Sequence, residues 1–216
     1  MSTRTTLIIT LLLIAAMTIF SIAVYDQLPA QMASHWGVND QVNGTISRFW
    51  GAFLMPIISL GMLGLFLLIP SIDPLKANIA RFRQAFNLFI VLMVAFLTYV
   101  HGLTIAWNLG YTGFQMSAAL LPAMGLLFIF MGYMLTKAKR NFFIGIRTPW
   151  TLSSDTVWDK THALGSKLFI ASGILTFLGG FFGGQIAFWF LIIPVIGSAI
   201  FLVVYSYFLY RQETGI

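Results

Sequence analysis

The chain has no cysteine, only six acidic residues, and charged residues make up just 8% of it. Each scarcity excludes something. Without cysteine there are no disulfides and no thiolate metal sites, and redox chemistry gives no clue to the compartment. Soluble domains carry roughly 25% charged residues. A chain that is 59% hydrophobic would expose more apolar surface than a monomer in water tolerates. No Asp or Glu falls inside the long apolar runs, whereas proton- and cation-coupled transporters bury such groups to carry the coupling charge. A channel needs a polar-lined pore, and no helix face here supplies one. Phosphate-cradling glycine loops, HExxH and the nucleophile elbow are also missing.

What remains is apolar sequence in long stretches. Six runs are long enough to span a bilayer: Thr6–Val24, Phe49–Ile69, Phe86–Trp107, Ser117–Thr136, Ala163–Phe182 and Ile186–Tyr210. Lipid offers no partner for backbone N–H and C=O groups, so these runs are expected to be helices. The first is longer than a signal-peptide core and reads as a retained span. With the N-terminus inside, Arg4, Lys76, Arg81, Arg83, Lys137, Lys139, Arg140, Arg147, Lys160, Lys167 and Arg211 all fall on the cytoplasmic side, and only Arg48 falls outside. The positive-inside rule then places both termini in the cytoplasm. The net charge of +6 is topological and does not point to direct nucleic-acid binding. The expected fold class is an all-α integral membrane protein with six transmembrane helices. Its expected domains are an N-terminal membrane hairpin, 1–69, and a four-helix region, 70–216.

Polarity is concentrated in two connections. The outer one, residues 25–48, is too long for a mere connector. It carries Pro29, a His35-Trp36 pair, and turn signals at Val38-Asn39-Asp40 and Asn43-Gly44. One histidine with two dispersed aspartates, Asp26 and Asp40, is a poor ligand set, so no metal and no cofactor are expected. The inner one, 137–167, holds six of the twelve Lys and Arg residues and one of the three histidines. Thr148 precedes a proline and is expected to be extended. Ser153, Ser154 or Asp155 can then cap a helix, on which Trp158 and His162 share a face. That amphipathic helix should bend or run directly into the fifth span. Arg147 beside the proline turn is expected to bind loop carbonyls or Asp155 in two-point fashion, which lysine cannot reproduce. Gly179, Gly180, Gly183 and Gly184 form small-xxx-small pairs, a helix-packing feature.

The run NFFIGIRTPWTLSSDTVWDKTH, Asn141 to His162, resembles the inner loop of the SdpI immunity family of bacterial membrane proteins. The matching positions are Asn141, Gly145, Arg147, Thr148, Pro149, Trp150, Thr151, Leu152, Ser153, Trp158, Thr161 and His162. The outer loop, LPAQMASHWGVNDQVNG, is similar to a small membrane domain of unknown function that often precedes the SdpI region. Pro29, His35 and Gly44 fit that domain, which usually has glycine where this chain has Asp40. The resemblance implies a non-enzymatic protein of the bacterial cytoplasmic membrane. It would confer immunity to an extracellular toxin peptide and, as a receptor, would hold a cytoplasmic transcriptional repressor at the membrane. On that implication Pro29, His35, Trp36 and Gly44 meet the outer partner. Asn141, Gly145, Arg147, Thr148, Pro149, Trp150, Ser153, Trp158 and His162 serve the inner one. The alternative is a small-molecule transporter or a metal-dependent membrane enzyme using His35, His101 or His162.

Overall fold

The computed structural model describes residues 1–215. Among the described residues eight α-helices occur in the order α1 (Thr3–Val24), α2 (Arg48–Ile72), α3 (Lys76–Arg81), α4 (Arg83–Asn108), α5 (Met116–Leu135), α6 (Pro149–Ser153), α7 (Asp155–Gly179) and α8 (Gly184–Thr214). Six of them, α1, α2, α4, α5, α7 and α8, are long and apolar enough to cross a membrane. The protein is a multi-pass, all-α membrane protein. The one sheet among the described residues is an antiparallel hairpin, β1 (Gln31–Trp36) and β2 (Val42–Ser47), in the connection between α1 and α2.

A hydrophobic cluster that includes Leu63, Phe86, Ile90, Val94 and Trp158 is buried between the helices, but α1 turns small and polar residues inward as well. On α1 the buried positions are Thr6, Thr10, Ile14, Met17 and Ser21, while Leu11, Leu12, Ile19 and Ile22 are exposed. Lipid is as apolar as leucine, so helices gain little by burying their largest side chains. They associate through small and polar residues that allow close approach. The hydroxyls of Thr6 and Thr10 donate to backbone carbonyls four residues earlier, at 3.0 and 2.8 Å, and need no other partner. Glycines bring α5 and α7 into backbone contact. A Cβ at Gly125 would meet the Gly173 carbonyl at 2.6 Å, and one at Gly132 would meet the Ser166 carbonyl at 2.8 Å. Gly179 and Gly180 pack against Phe190 and Pro122, and Gly183 and Gly184 form the positive-φ turn into α8. In this packing α1, α2 and α4 group together, α5, α7 and α8 group together, and α4 meets α5 between them.

Prolines inside the spans free carbonyls that lipid would leave unpaired. Pro56 in α2 has no N–H for the carbonyl of Ala52, four residues back. The Ser21 hydroxyl of α1 donates to that carbonyl at 2.7 Å, and its oxygen meets His101 Nε2 of α4 at 2.9 Å. His101, the one histidine deep in a span, thus completes a backbone repair that joins three helices. Pro194 in α8 likewise frees the Phe190 carbonyl, which the Thr176 hydroxyl of α7 approaches at 3.5 Å.

Candidate functional sites at the two ends of the bundle

At one end lies the hairpin. The sequence reads this segment as a loop with turns at 38–40 and 43–44. The structure forms one turn, Gly37 to Gln41, closed by Gly37 N–H donating to the Gln41 carbonyl at 2.9 Å. Asn43-Gly44 lies instead inside β2, with Gly44 opposite His35 at a bulge. A Cβ at Gly44 would sit 3.0 Å from the His35 Cβ, so glycine here makes room for the histidine ring. His35 Nδ1 bonds Asn43 Oδ1 at 2.5 Å. Trp36 packs edge-on against Trp107 at 5.7 Å. Leu28 and Met32 are buried with Ala52 and Ile105, which seats the hairpin on α2 and α4. Pro29 is exposed in the approach to β1. Asn108, at the end of α4, bonds both the N–H and the carbonyl of Ala33, at 2.7 and 3.0 Å.

Asp40 has φ +60°, the only non-glycine residue with positive φ among the described residues. That conformation suits glycine, and aspartate tolerates it better than most. Its carboxylate accepts from Ser117 N–H at 2.8 Å, the Ser117 hydroxyl at 2.5 Å and Gly184 N–H at 3.2 Å. It therefore bridges the N-terminal ends of α5 and α8, where the helix dipoles favour an anion. Beneath this bridge is a cavity of about 620 Å³. Its walls are Met55, Val100, Leu120, Leu121, Phe188 and Leu191, with Thr104 among them. Ser34, His35, Asp40 and Asn43 supply polar groups from the hairpin.

At the opposite end, where α1 begins and α8 ends, residues 137–162 fold into a packed cap. Asn141 is fully buried and uses its whole amide. Its Oδ1 accepts from Phe143 and Ile144 N–H at 2.9 and 2.6 Å, and its Nδ2 donates to the Lys139 and Ile144 carbonyls at 2.8 and 2.9 Å. Gly145 has φ +112°, and a Cβ there would collide with His162 Nε2. This allows Ile146 N–H to donate to His162 Nε2 at 3.0 Å. The ring's Nδ1 is 2.9 Å from the Trp158 carbonyl. These two bonds assign the neutral imidazole, with the proton on Nδ1. The His162 ring stacks on Trp158 at 3.9 Å, and the Trp158 indole N–H donates to the Ala138 carbonyl at 3.0 Å. Thr148 and Thr151 form a capping box that starts α6 with Pro149 at its first position. Thr148 is extended, as a residue before proline should be. Its hydroxyl meets Ser206 of α8 at 3.0 Å, and Trp150 packs against Tyr207 at 5.1 Å. Ser154 caps α7, which runs without a break from Asp155 into the fifth span.

The role expected of Arg147 falls to Arg140. Arg147 is exposed and makes one bond, to the Phe142 carbonyl at 2.9 Å. Arg140 donates to the Leu152 carbonyl at 2.9 Å and pairs with Asp155 at 2.8 Å. Arg140 sits at the start of the cap with its side chain three-quarters buried, and so reaches across it. Arg147 follows the Gly145 turn, which directs it outward. Asp159 pairs with Lys139 at 3.3 Å and not with His162. Two further residues escaped the sequence reading. Asp73, 2% exposed, accepts from Leu75 and Phe142 N–H at 2.6 and 2.9 Å, and Asn78 donates to the Arg140 carbonyl at 2.8 Å. Together they tie the α2–α3 connection to the cap. The available signal was Asp73 itself, an acid next to a span in a chain with only six.

Among the described residues no three His, Cys, Asp or Glu side chains gather where a metal could sit. The three histidines lie apart, and each has the hydrogen-bond partner named above.

These features define the class: a six-span helical membrane protein with a β-hairpin lid at one end and a tryptophan–histidine cap at the other. Residues 137–206, which hold the cap, match the model of the SdpI/YfhL protein family. Residues 12–60, which hold the hairpin, match a domain of unknown function (DUF1648). A similar curated protein is the Immunity protein SdpI of Bacillus subtilis (strain 168). It is 25% identical over 208 residues, covering 96% of this chain and 97% of that protein. No solved structure matches significantly.

Proposed function

We propose that this protein confers immunity on its host by capturing a secreted toxin peptide at the hairpin end, which faces outward, with both termini in the cytoplasm. The observation that carries this reading is the composition of the 620 Å³ cavity. Ser34, His35 and Trp36 come from the region matching one family model, and Gly184, Phe188 and Leu191 come from the region matching the other. The site needs both regions, and its size and apolar walls suit several side chains of a hydrophobic peptide. Similarity to an immunity protein over nearly the whole chain supports the same reading.

On this proposal the outer partner meets His35 and Trp36, while Pro29 and Gly44 shape the hairpin. At the cap, Arg147, Pro149 and Ser153 are exposed and form the surface offered to a cytoplasmic repressor. Asn141, Gly145, Thr148, Trp158 and His162 hold that surface in place, and half-buried Trp150 anchors it to α8. A receptor also needs an element with two arrangements whose balance the ligand biases. The continuous helix α7 is that element here.

The test is survival of a toxin-sensitive strain expressing the chain, challenged with several secreted hydrophobic toxin peptides. Wild type is expected to protect against at least one. Leu191→Trp, which fills the cavity, is expected to abolish protection while the protein still accumulates in the membrane. Absence of protection across the panel, or full protection by Leu191→Trp, refutes the reading.

A further inference from the structure

A second cavity, of about 310 Å³, lies at the cap end between the α3–α4 junction and the end of α5. Arg81, Arg83, Gln84, Tyr133 and Lys137 line it. Two of its cations are held over aromatic rings: Arg83 lies 5.8 Å from the Phe86 ring and Lys137 lies 5.6 Å from the Tyr133 ring. Among the described residues none of the three cations makes an ion pair; the pairs formed are Lys139–Asp159 and Arg140–Asp155. The α4 helix starts here with no side-chain cap and no acidic residue in its first turn, so its dipole adds to the positive field. Arg83 opens one span and Lys137 stands two residues past the end of another, so the cavity lies where spans begin and end. Topology alone requires positive charge on this side, but it does not require three cations to converge on one concave site.

We propose that this cavity binds a phosphate-bearing anion, and that its occupant is the headgroup of an anionic phospholipid. The phosphate would sit among Arg81, Arg83 and Lys137, with acyl chains following the groove between α4 and α5. The site is independent of the outer cavity, so its test does not depend on any toxin.

The experiment is native mass spectrometry of the full chain released from micelles containing phosphatidylglycerol and phosphatidylcholine in equal amounts. Wild type is expected to retain phosphatidylglycerol preferentially. The triple variant Arg81→Gln/Arg83→Gln/Lys137→Gln is expected to lose that preference by roughly tenfold or more, given the usual contribution of each basic residue near anionic lipid. A control triple, Arg147→Gln/Lys160→Gln/Lys167→Gln, removes the same charge from residues that do not line the cavity and should keep it within about twofold. If the first triple does not fold, Lys137→Gln alone should cost roughly fivefold. Unchanged preference in the cavity variant, or equal loss in the control, overturns the site. Displacement of the lipid by millimolar inorganic phosphate assigns the site to free phosphate and overturns the lipid as occupant.

Discussion

Two arginines seven residues apart have different work, and the difference is geometric. Arg140 makes one charge-assisted bond to a carbonyl and one ion pair to Asp155. Bonds from charged donors contribute about 1.5–3 kcal/mol. The pair with Asp155, whose side chain is 74% exposed, adds under about 1 kcal/mol after solvent screening. Arg140→Lys is therefore expected to lower the melting temperature in detergent clearly, and Arg147→Lys to leave it nearly unchanged. Equal effects would show that the cap does not depend on a forked donor at 140. Gly145 offers a sharper case, since its φ of +112° and its contact with His162 both forbid a side chain. Gly145→Ala should cost about 1–3 kcal/mol in backbone strain and break the Ile146–His162 bond. Gly113→Ala, in open space, should be close to neutral in the same unfolding titration.

Between elements, the polar groups buried in the spans serve the backbone. Ser21 and His101 answer the carbonyl that Pro56 frees. Leaving such a buried acceptor unpaired costs about 1–3 kcal/mol. Ser21→Ala should destabilise by about that amount in the wild-type chain. In a Pro56→Ala background, where residue 56 again donates to Ala52, the same change should cost much less. A double-mutant cycle in detergent unfolding measures the coupling, and a cycle that closes to zero would remove this account of His101. The sequence displays a histidine at depth, which invites thoughts of proton transfer. Its partner Ser21 lies 80 residues away in the chain and the carbonyl that Ser21 answers lies 49 away, so no local pattern reveals the repair.

For the molecule as a whole, orientation and the joint between its halves can be tested directly. The chain has no cysteine, so Ser34→Cys, in the exposed face of the hairpin, gives a single thiol. It should react with a membrane-impermeant maleimide added to whole cells; labelling only after lysis would invert the topology. Asp40→Asn keeps a residue that tolerates positive φ but loses the charge facing two helix N-termini. It should loosen the hairpin from α5 and α8, and faster proteolysis within 37–41 would report this. Protection equal to wild type would mean the carboxylate is dispensable to the joint.

The solvent, the six spans and the identity of the two polar segments are all legible in the linear chain. Those follow from composition, length and the backbone's need for internal hydrogen bonds in lipid, which are properties of short windows. The linear chain also placed the cap of α7 and the stacked pair Trp158–His162, because both arise from spacing within one helix. Which polar residues are scaffold and which are surface emerges only from the folded arrangement. Asn141, Thr148, Trp158 and His162 turn inward and Arg147 turns outward, although all five stand in one polar run. It alone revealed Asp40 as the bridge from the hairpin to α5 and α8, Arg140 and Asp73 as the fastenings of the cap, and the two cavities. Each of these depends on where distant helices meet, and that is set by glycine faces and proline repairs whose partners lie far apart in the chain.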